Sequence, residues 1–128
     1  MEIDLLKYVL PSILIDNFTL VKIEEGFDIT KNRKSLTIYL DEANKLPAGY
    51  NSDEYESKGF IGYTTIQDFP LRDKLLYLKI RKRRWRHKIN KHETIQNDYS
   101  KLTDGTQITK ELTDFLKDGG RYAHRTNK

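Results

Sequence analysis

The hydrophobic and polar positions of the chain have helix-like spacing only near its two ends. Residues 3–10 place apolar side chains three and four positions apart, which predicts a short amphipathic helix that Pro11 breaks or restarts. A second helix is predicted after an Asp-Gly turn, with Thr106 as its N-cap and Gly119-Gly120 at its end. The apolar side chains that share one face of this second helix are Ile108, Leu112, Phe115 and Leu116.

Between the two helices the pattern has a period of two, which is typical of strands. Alternation over residues 19–25 and 35–40 predicts two strands joined by a hairpin loop at 26–34. Residues 41–56 are rich in Gly, Pro, Asn and acidic side chains, and we expect a surface loop there.

Alternation resumes in the second half of the chain. Residues 60–69 and 74–85 flank a turn at 70–73, so they are expected to form a long hairpin. Residues 94–100 are expected to contribute a further short strand, and Gly59 is expected to mark a bulge.

These elements predict an α+β fold, in which a small antiparallel sheet with a long basic hairpin is flanked by an N-terminal and a C-terminal helix. A length of 128 residues fits one domain. We expect a single α+β DNA-binding domain over residues 1–118. Residues 119–128 have little to bury, so a flexible tail is expected there.

Charge is distributed unevenly along the chain. The segment Lys79–His92 contains eight Lys or Arg residues, two His and no acid, whereas the remainder has 15 basic residues against 19 acidic ones. Such a concentration is typical of a protein that binds a polyanion, most often nucleic acid. The plainer alternative is a solvated surface or an edge strand protected against aggregation, although eight basic residues without an acid exceed what that protection requires.

The alternation of apolar residues from Leu76 to Ile80 predicts a half-buried strand. Beyond Ile80 the inward positions become basic, and burying unpaired charges is costly. We therefore expect the strand to leave the sheet at about Arg81 and to project into solvent as a basic ribbon that fits the major groove of B-DNA. The candidate DNA-binding residues are Lys79, Arg81, Lys82, Arg83, Arg84, Trp85, Arg86, Lys88 and Lys91.

Trp85 has two interpretations. It either braces the ribbon against the domain or stacks on an unpaired base. If the basic segment neutralises four to six phosphates, the logarithm of the binding constant should fall against the logarithm of salt concentration with a slope of about −4 to −5.

The sequence has few residues suited to catalysis or metal binding. Three histidines without any cysteine make a poor metal site, and adjacent carboxylates fall on opposite strand faces or in loops. There is no phosphate-binding glycine loop and no Ser-His-Asp spacing. We expect a non-catalytic protein without a cofactor. The lack of cysteine, the acidic start and the lack of an apolar run near ~18 residues favour a cytoplasmic protein without a membrane partner.

Four segments carry a resemblance to a known family. They are Leu5–Pro11, Ser57–Phe60, Thr65–Arg72 and Tyr77–Trp85. Together they resemble the N-terminal-region proteins of ISAon-family insertion-sequence transposases. The likeness extends from about Leu5 to Phe115 and is most specific from Gln67 to Trp85.

The resemblance implies a small protein that precedes a separate reading frame, which carries the acidic-triad nuclease. It implies a role like that of the N-terminal domain of single-chain relatives, which binds terminal inverted repeats. The implied partners are therefore double-stranded DNA and the catalytic transposase subunit. Those relatives continue into a zinc ribbon with CxxC pairs, but here Arg86-His87-Lys88 follow Trp85 and cysteine is absent, so zinc is not expected. Asp73 also stands in the turn where such sequences have Gly.

Two alternatives remain open at this point. In the first, the chain is a protein-interaction subunit that binds the separate catalytic chain with little DNA binding of its own. The apolar face Ile108-Leu112-Phe115 and the flexible tail are the features that motivate it. A third interpretation is RNA binding through Trp85 and the basic loop.

Overall fold

The computed structural model describes residues 8–100 and 108–117, which form an α+β fold. A helix lies near each end of the described chain and the strands between them form two sheets, which confirms the predicted class. In chain order the elements are α1 (Ser12–Asn17), β1 (Phe18–Asp28), β2 (Arg33–Glu42), β3 (Tyr55–Phe60), β4 (Thr64–Leu71), β5 (Lys74–Arg81), β6 (Arg83–His87), β7 (Thr94–Ile95) and α2 (Lys110–Lys117). Neither helix is long or apolar enough to cross a lipid bilayer; this holds for the described residues.

The strands form a large and a small sheet. The four-stranded sheet has the order β1-β2-β5-β4, with two antiparallel hairpins joined by a parallel β2/β5 pair. The three-stranded sheet is antiparallel with the order β3-β6-β7. Only Lys82 separates β5 from β6, so one extended segment contributes a strand to both sheets.

The hydrophobic core lies on one face of the four-stranded sheet. Alternate residues of β2, β4 and β5 point to that face and are fully buried, for example Ile38, Ile66 and Leu78. Leu14 of α1 and Leu112 of α2 pack against them from the other side. Both helices therefore cover the same face, and the opposite face of this sheet is turned away from them.

The first hairpin is confirmed and is longer than predicted. β1 continues to Asp28 and β2 begins at Arg33, so the connecting loop spans only residues 29–32 instead of 26–34. Asn32 adopts a φ of 54° in this loop, a conformation that asparagine tolerates better than most residues. The surface loop between the sheets is also shorter than expected and covers residues 43–54.

The prediction of one continuous strand over residues 60–69 is wrong. β3 ends at Phe60 in the small sheet, and β4 begins at Thr64 in the large one. Gly59, with a φ of 92°, lies in a bulge of β3, as its position in the sequence predicted. Alternation did not reveal the change of sheet because side chains alternate in the same way in both strands. The β4/β5 hairpin itself is confirmed.

The helix boundaries follow from local capping. α1 begins directly after Pro11, as expected for a helix that restarts at a proline, and the amide of Leu14 donates to the Pro11 carbonyl at 3.0 Å. Thr109 caps α2, because its Oγ1 accepts the Leu112 amide at 3.2 Å. Several predictions lie outside the described residues: the Thr106 cap, the Gly119-Gly120 stop, residues 3–7 of the first helix and the tail 119–128.

Asp68 is a buried carboxylate in β4, and its replacement by Asn should stabilise the protein. The residue is only 6% exposed, and its Oδ1 accepts no hydrogen bond from the described part of the chain. Burial raises the pKa of this carboxyl above its unfolded value, so the ionised form opposes folding at neutral pH. We expect Asp68→Asn to increase the free energy of unfolding by about 1 kcal/mol at pH 7.

Urea denaturation followed by circular dichroism measures this difference. The opposition to folding is lost as the pH falls through the raised pKa, so the wild-type protein should approach the stability of the Asp68→Asn variant in acid. A variant less stable than the wild type at pH 7 would show that the carboxylate makes a favourable interaction.

Candidate nucleic-acid interface

The basic segment Lys79–His92 does not project into solvent, so the expectation of a free ribbon is wrong. β5 does end at Arg81, as predicted, but the chain continues through Lys82 directly into β6. β6 pairs with β3 on one side and with β7 on the other. The segment is therefore the link between the two sheets, and its side chains divide between the interior and two different surfaces.

Lys82 was predicted to contact DNA, and the structure buries it instead. It is 4% exposed, and its Nζ lies 5.7 Å from the ring centroid of Tyr99 and 5.8 Å from that of Phe115. Its positive charge interacts with the buried carboxylate of Glu42. The cost of burying a charge is offset by this partner and the two aromatic rings, so Lys82 belongs to the interior.

Glu42 is held by three donors from two parts of the chain. Its carboxylate accepts the Arg83 amide at 2.7 Å, the Asn97 side chain at 3.1 Å and the hydroxyl of Tyr99. Burial raises the pKa of Glu42, while these hydrogen bonds and the charge of Lys82 act in the opposite direction. This polar cluster fixes the point at which the basic segment passes from one sheet to the other.

Trp85 is also interior, which removes it from the predicted contact residues. The side chain is 1% exposed, and its Nε1 donates to Oδ1 of Asn44 at 3.0 Å. Its strand neighbours are Ser57 of β3 and Ile95 of β7. Trp85 therefore packs the small sheet against the 43–54 loop, and of its two interpretations the structure favours the bracing one.

Arg81 and Arg83 are only partly exposed and are held by the domain. Arg81 makes two hydrogen bonds with the carboxylate of Asp41, at 2.7 and 3.0 Å. Arg83 donates to the Glu42 carbonyl at 3.0 Å. Both guanidinium groups lie over the ring of Phe60, at 4.1 and 4.3 Å from its centroid. These contacts orient the two arginines. Because they occupy guanidinium donors, fewer donors remain for direct contact with phosphate.

The outward side of β6 carries the remaining cations of the segment. Arg84 is exposed, and Arg86 lies on the same side because strand side chains alternate. The Lys88 amide donates to the Glu54 carbonyl at 2.8 Å, which extends the pairing of β3 with β6 by one residue. By the same alternation, Lys88 follows Arg84 and Arg86 on the outward side. We call this surface the basic face, and it consists of Arg84, Arg86, Lys88 and Lys91.

One carboxylate lies within the basic face. Glu56 of β3 pairs with Arg86 at 3.0 Å and with Lys91 at 3.3 Å, and these hydrogen bonds lower the pKa of Glu56. Among the described residues, Arg84 and Lys88 have no acidic side chain within ion-pair distance. The charges of Arg84 and Lys88 are therefore not neutralised by an ion pair and are available to an anion.

Lys79 lies apart from the basic face, on the side of the large sheet that the helices leave open. Its Nζ is 5.6 Å from the ring centroid of Tyr39, the residue opposite it on β2. Tyr63 and Lys22 surround the same ring. Sequence reasoning missed these tyrosines, although the outward positions of the predicted strands contain them.

The described residues contain no group of three His, Asp or Glu side chains that could hold a metal ion. His87 has a structural contact: its Nδ1 accepts the amides of Ile89 and Asn90 at 3.2 and 3.0 Å and so shapes the turn after β6.

No protein-family model, curated protein or solved structure matches this chain.

Proposed function

We propose that this protein is the non-catalytic DNA-binding module of an insertion-sequence transposase and recognises the terminal inverted repeats of the element. Its partners in this proposal are double-stranded DNA and a catalytic transposase subunit encoded by a neighbouring reading frame. The observation that carries the proposal is the basic face, on which Arg84 and Lys88 are exposed cations outside any ion pair among the described residues.

The spacing of the basic face suits a nucleic-acid backbone. Arg84, Arg86 and Lys88 occur at every second position of an extended chain, so neighbouring side chains start about 6.6 Å apart. That separation is comparable with the distance between consecutive phosphates of one DNA strand. Arginine can bind a phosphate with two parallel hydrogen bonds, and Arg84 is exposed for such a contact while Arg86 is paired with Glu56.

The proposal predicts preferential binding to the element's own ends. In fluorescence anisotropy, the full chain should bind a labelled duplex of the terminal inverted repeat at least tenfold more tightly than a duplex of the same length and composition with a permuted sequence. Equal affinity for both duplexes, or no binding at protein concentrations up to about 100 µM, contradicts the proposal.

The alternative function, a protein-interaction subunit, loses one of the two features that motivated it, and the other, the tail, lies outside the described residues. Leu112 and Phe115 of α2 are buried in the chain's own core and are not a surface for a partner. Tyr8 and Phe69 are exposed beside a cleft at the β4 edge, and they are one apolar surface that a partner could use. Co-purification with the catalytic chain, together with no shift of inverted-repeat DNA by this chain alone, would favour that alternative.

A further inference from the structure

The face of the four-stranded sheet that points away from the helices carries tyrosines and cations. Lys22, Tyr39 and Lys79 are direct neighbours across β1, β2 and β5. Arg81 and Asp41 form the next pair along β2 and β5, and Tyr63 lies just before β4. We call this surface the tyrosine face, and it is defined by Lys22, Tyr39, Tyr63, Lys79 and Arg81.

The two central rings are close and perpendicular. The centroids of Tyr39 and Tyr63 are 5.7 Å apart and their planes are at 87°. This arrangement makes a corner in which a flat ring can stack on one tyrosine with its edge toward the other. Tyr63 is 41% exposed, so the corner is open to solvent at that side.

Cations surround this corner. The Nζ atoms of Lys22 and Lys79 lie 4.6 and 5.6 Å from the Tyr39 centroid, and the guanidinium of Arg81 lies 4.5 Å from that of Tyr63. Such positions allow cation–π contacts with the rings. Lys22 also pairs with Glu24 at 3.2 Å and Arg81 with Asp41 at 2.7 Å, whereas Lys79 has no carboxylate within ion-pair distance among the described residues.

Hydrogen bonds to two carboxylates hold the rings in place. The hydroxyl of Tyr39 donates to Glu24 at 2.8 Å, and that of Tyr63 donates to Asp41 at 3.3 Å. With three cations and two carboxylates, this face is much less positive than the basic face. Its main contribution to binding must therefore come from the aromatic rings and not from phosphate neutralisation.

The far end of the same sheet face is already covered. Lys31, in the loop between β1 and β2, donates to the Gln67 side chain at 2.7 Å and lies 6.0 Å from the Tyr77 centroid. The hydroxyl of Tyr77 donates a hydrogen bond to the Asp28 carboxylate at 2.5 Å. Tyr77 therefore has no ring partner on this face among the described residues, whereas Tyr39 and Tyr63 meet in a corner.

We propose that the tyrosine face binds single-stranded DNA by stacking unpaired bases on Tyr39 and Tyr63, while Lys79 and Lys22 contact the flanking backbone and Arg81 stays paired with Asp41. In a duplex the faces of the bases are stacked on one another, so only an unpaired strand can offer them to this corner. This inference goes beyond the proposed binding of duplex ends and concerns a different sheet of the protein.

The test uses a fluorescein-labelled oligothymidylate of 20 nucleotides and anisotropy with the full chain. Replacing both tyrosines, Tyr39→Leu and Tyr63→Leu, should weaken binding of the oligonucleotide at least tenfold, because stacking of one base contributes ~1–3 kcal/mol. Tyr39→Phe with Tyr63→Phe should retain the affinity, since the rings remain. An abasic oligomer of the same length, which keeps the phosphates, should bind more weakly than the oligothymidylate.

Matched controls separate this inference from the proposed function. Tyr50→Leu removes an equally exposed tyrosine of the 43–54 loop and should leave oligothymidylate affinity unchanged. The double Leu variant should also keep the wild-type circular dichroism spectrum and its affinity for the inverted-repeat duplex. If the wild-type protein does not bind the inverted-repeat duplex, the proposed function is overturned, but the inference about the tyrosine face is not.

Three results would overturn the inference itself. They are wild-type oligothymidylate affinity in the folded double Leu variant, equal binding of the abasic oligomer, and loss of affinity in the double Phe variant as large as in the Leu variant. In those cases the tyrosines are cross-strand contacts that stabilise the sheet.

Discussion

The double substitution Arg84→Ala and Lys88→Ala is expected to weaken binding to the inverted-repeat duplex at least tenfold. Both side chains are exposed, lie on the outward side of the small sheet and have no carboxylate partner among the described residues. Their removal therefore takes two cations from the basic face without breaking an ion pair within the protein. A charge-assisted hydrogen bond contributes about 1.5–3 kcal/mol, and 1.4 kcal/mol is tenfold in affinity.

This pair makes a cleaner test than substitutions elsewhere in the segment. Ala at Arg83 would also break the contacts with Glu42 and Phe60, and Ala at Arg86 would leave Glu56 with only Lys91. The matched control is Arg33→Ala with Lys34→Ala, which removes the same charge from exposed positions at the start of β2. Equal losses for the control and for the Arg84/Lys88 variant would mean that only the net charge matters.

Trp85→Ala is expected to cause the largest loss of stability, about 3–5 kcal/mol in the free energy of unfolding. The side chain is almost fully buried between β3, β7 and the 43–54 loop, and truncation would leave a cavity in the small sheet. It would also leave the Asn44 amide without its indole donor. Urea denaturation followed by circular dichroism measures the effect, since Trp85 is the single tryptophan and fluorescence would be lost with it.

Trp85→Phe distinguishes packing from base stacking. Phenylalanine keeps most of the buried apolar area and loses the indole donor, so its loss of stability should be smaller than that of the Ala variant. Its affinity for the inverted-repeat duplex and for oligothymidylate should equal that of the wild-type protein. A folded Phe variant with strongly reduced DNA affinity would indicate that Trp85 contacts DNA.

Much of the architecture could be predicted from local patterns. Alternation identified both hairpins and the end of β5 at about Arg81, and the spacing of Leu112, Phe115 and Leu116 identified the apolar face of α2. Such signals depend on residues within a few positions of one another. The capping of α2 by Thr109 could have been found from the same rules, because threonine directly before a helix is a common N-cap.

The interior position of Lys82 and Trp85 could not be predicted in this way. Their partners Glu42 and Asn44 come from the end of β2 and from the following loop, about 40 positions earlier. A run of basic residues alone suggests solvent, and only the fold shows which of its members meet a carboxylate or a ring. The surviving candidate site is therefore smaller than the predicted one.

The tyrosine face escaped prediction for a related reason. Tyr39 and Tyr63 are 24 positions apart, and Lys22 and Lys79 approach Tyr39 from different strands. Each residue alone is an ordinary outward position of a half-buried strand. The parallel pairing of β2 with β5 brings them together, and the alternation pattern contains no information about that pairing.

The salt dependence of duplex binding tests the role of the basic face most directly. For the wild-type protein, four phosphate contacts predict a slope of about −3 to −4 for the logarithm of the binding constant against the logarithm of salt concentration. The slope of the Arg84→Ala/Lys88→Ala variant should be less steep by about two. Identical slopes for the two proteins, or a wild-type slope near zero, would contradict contact between the basic face and the DNA backbone.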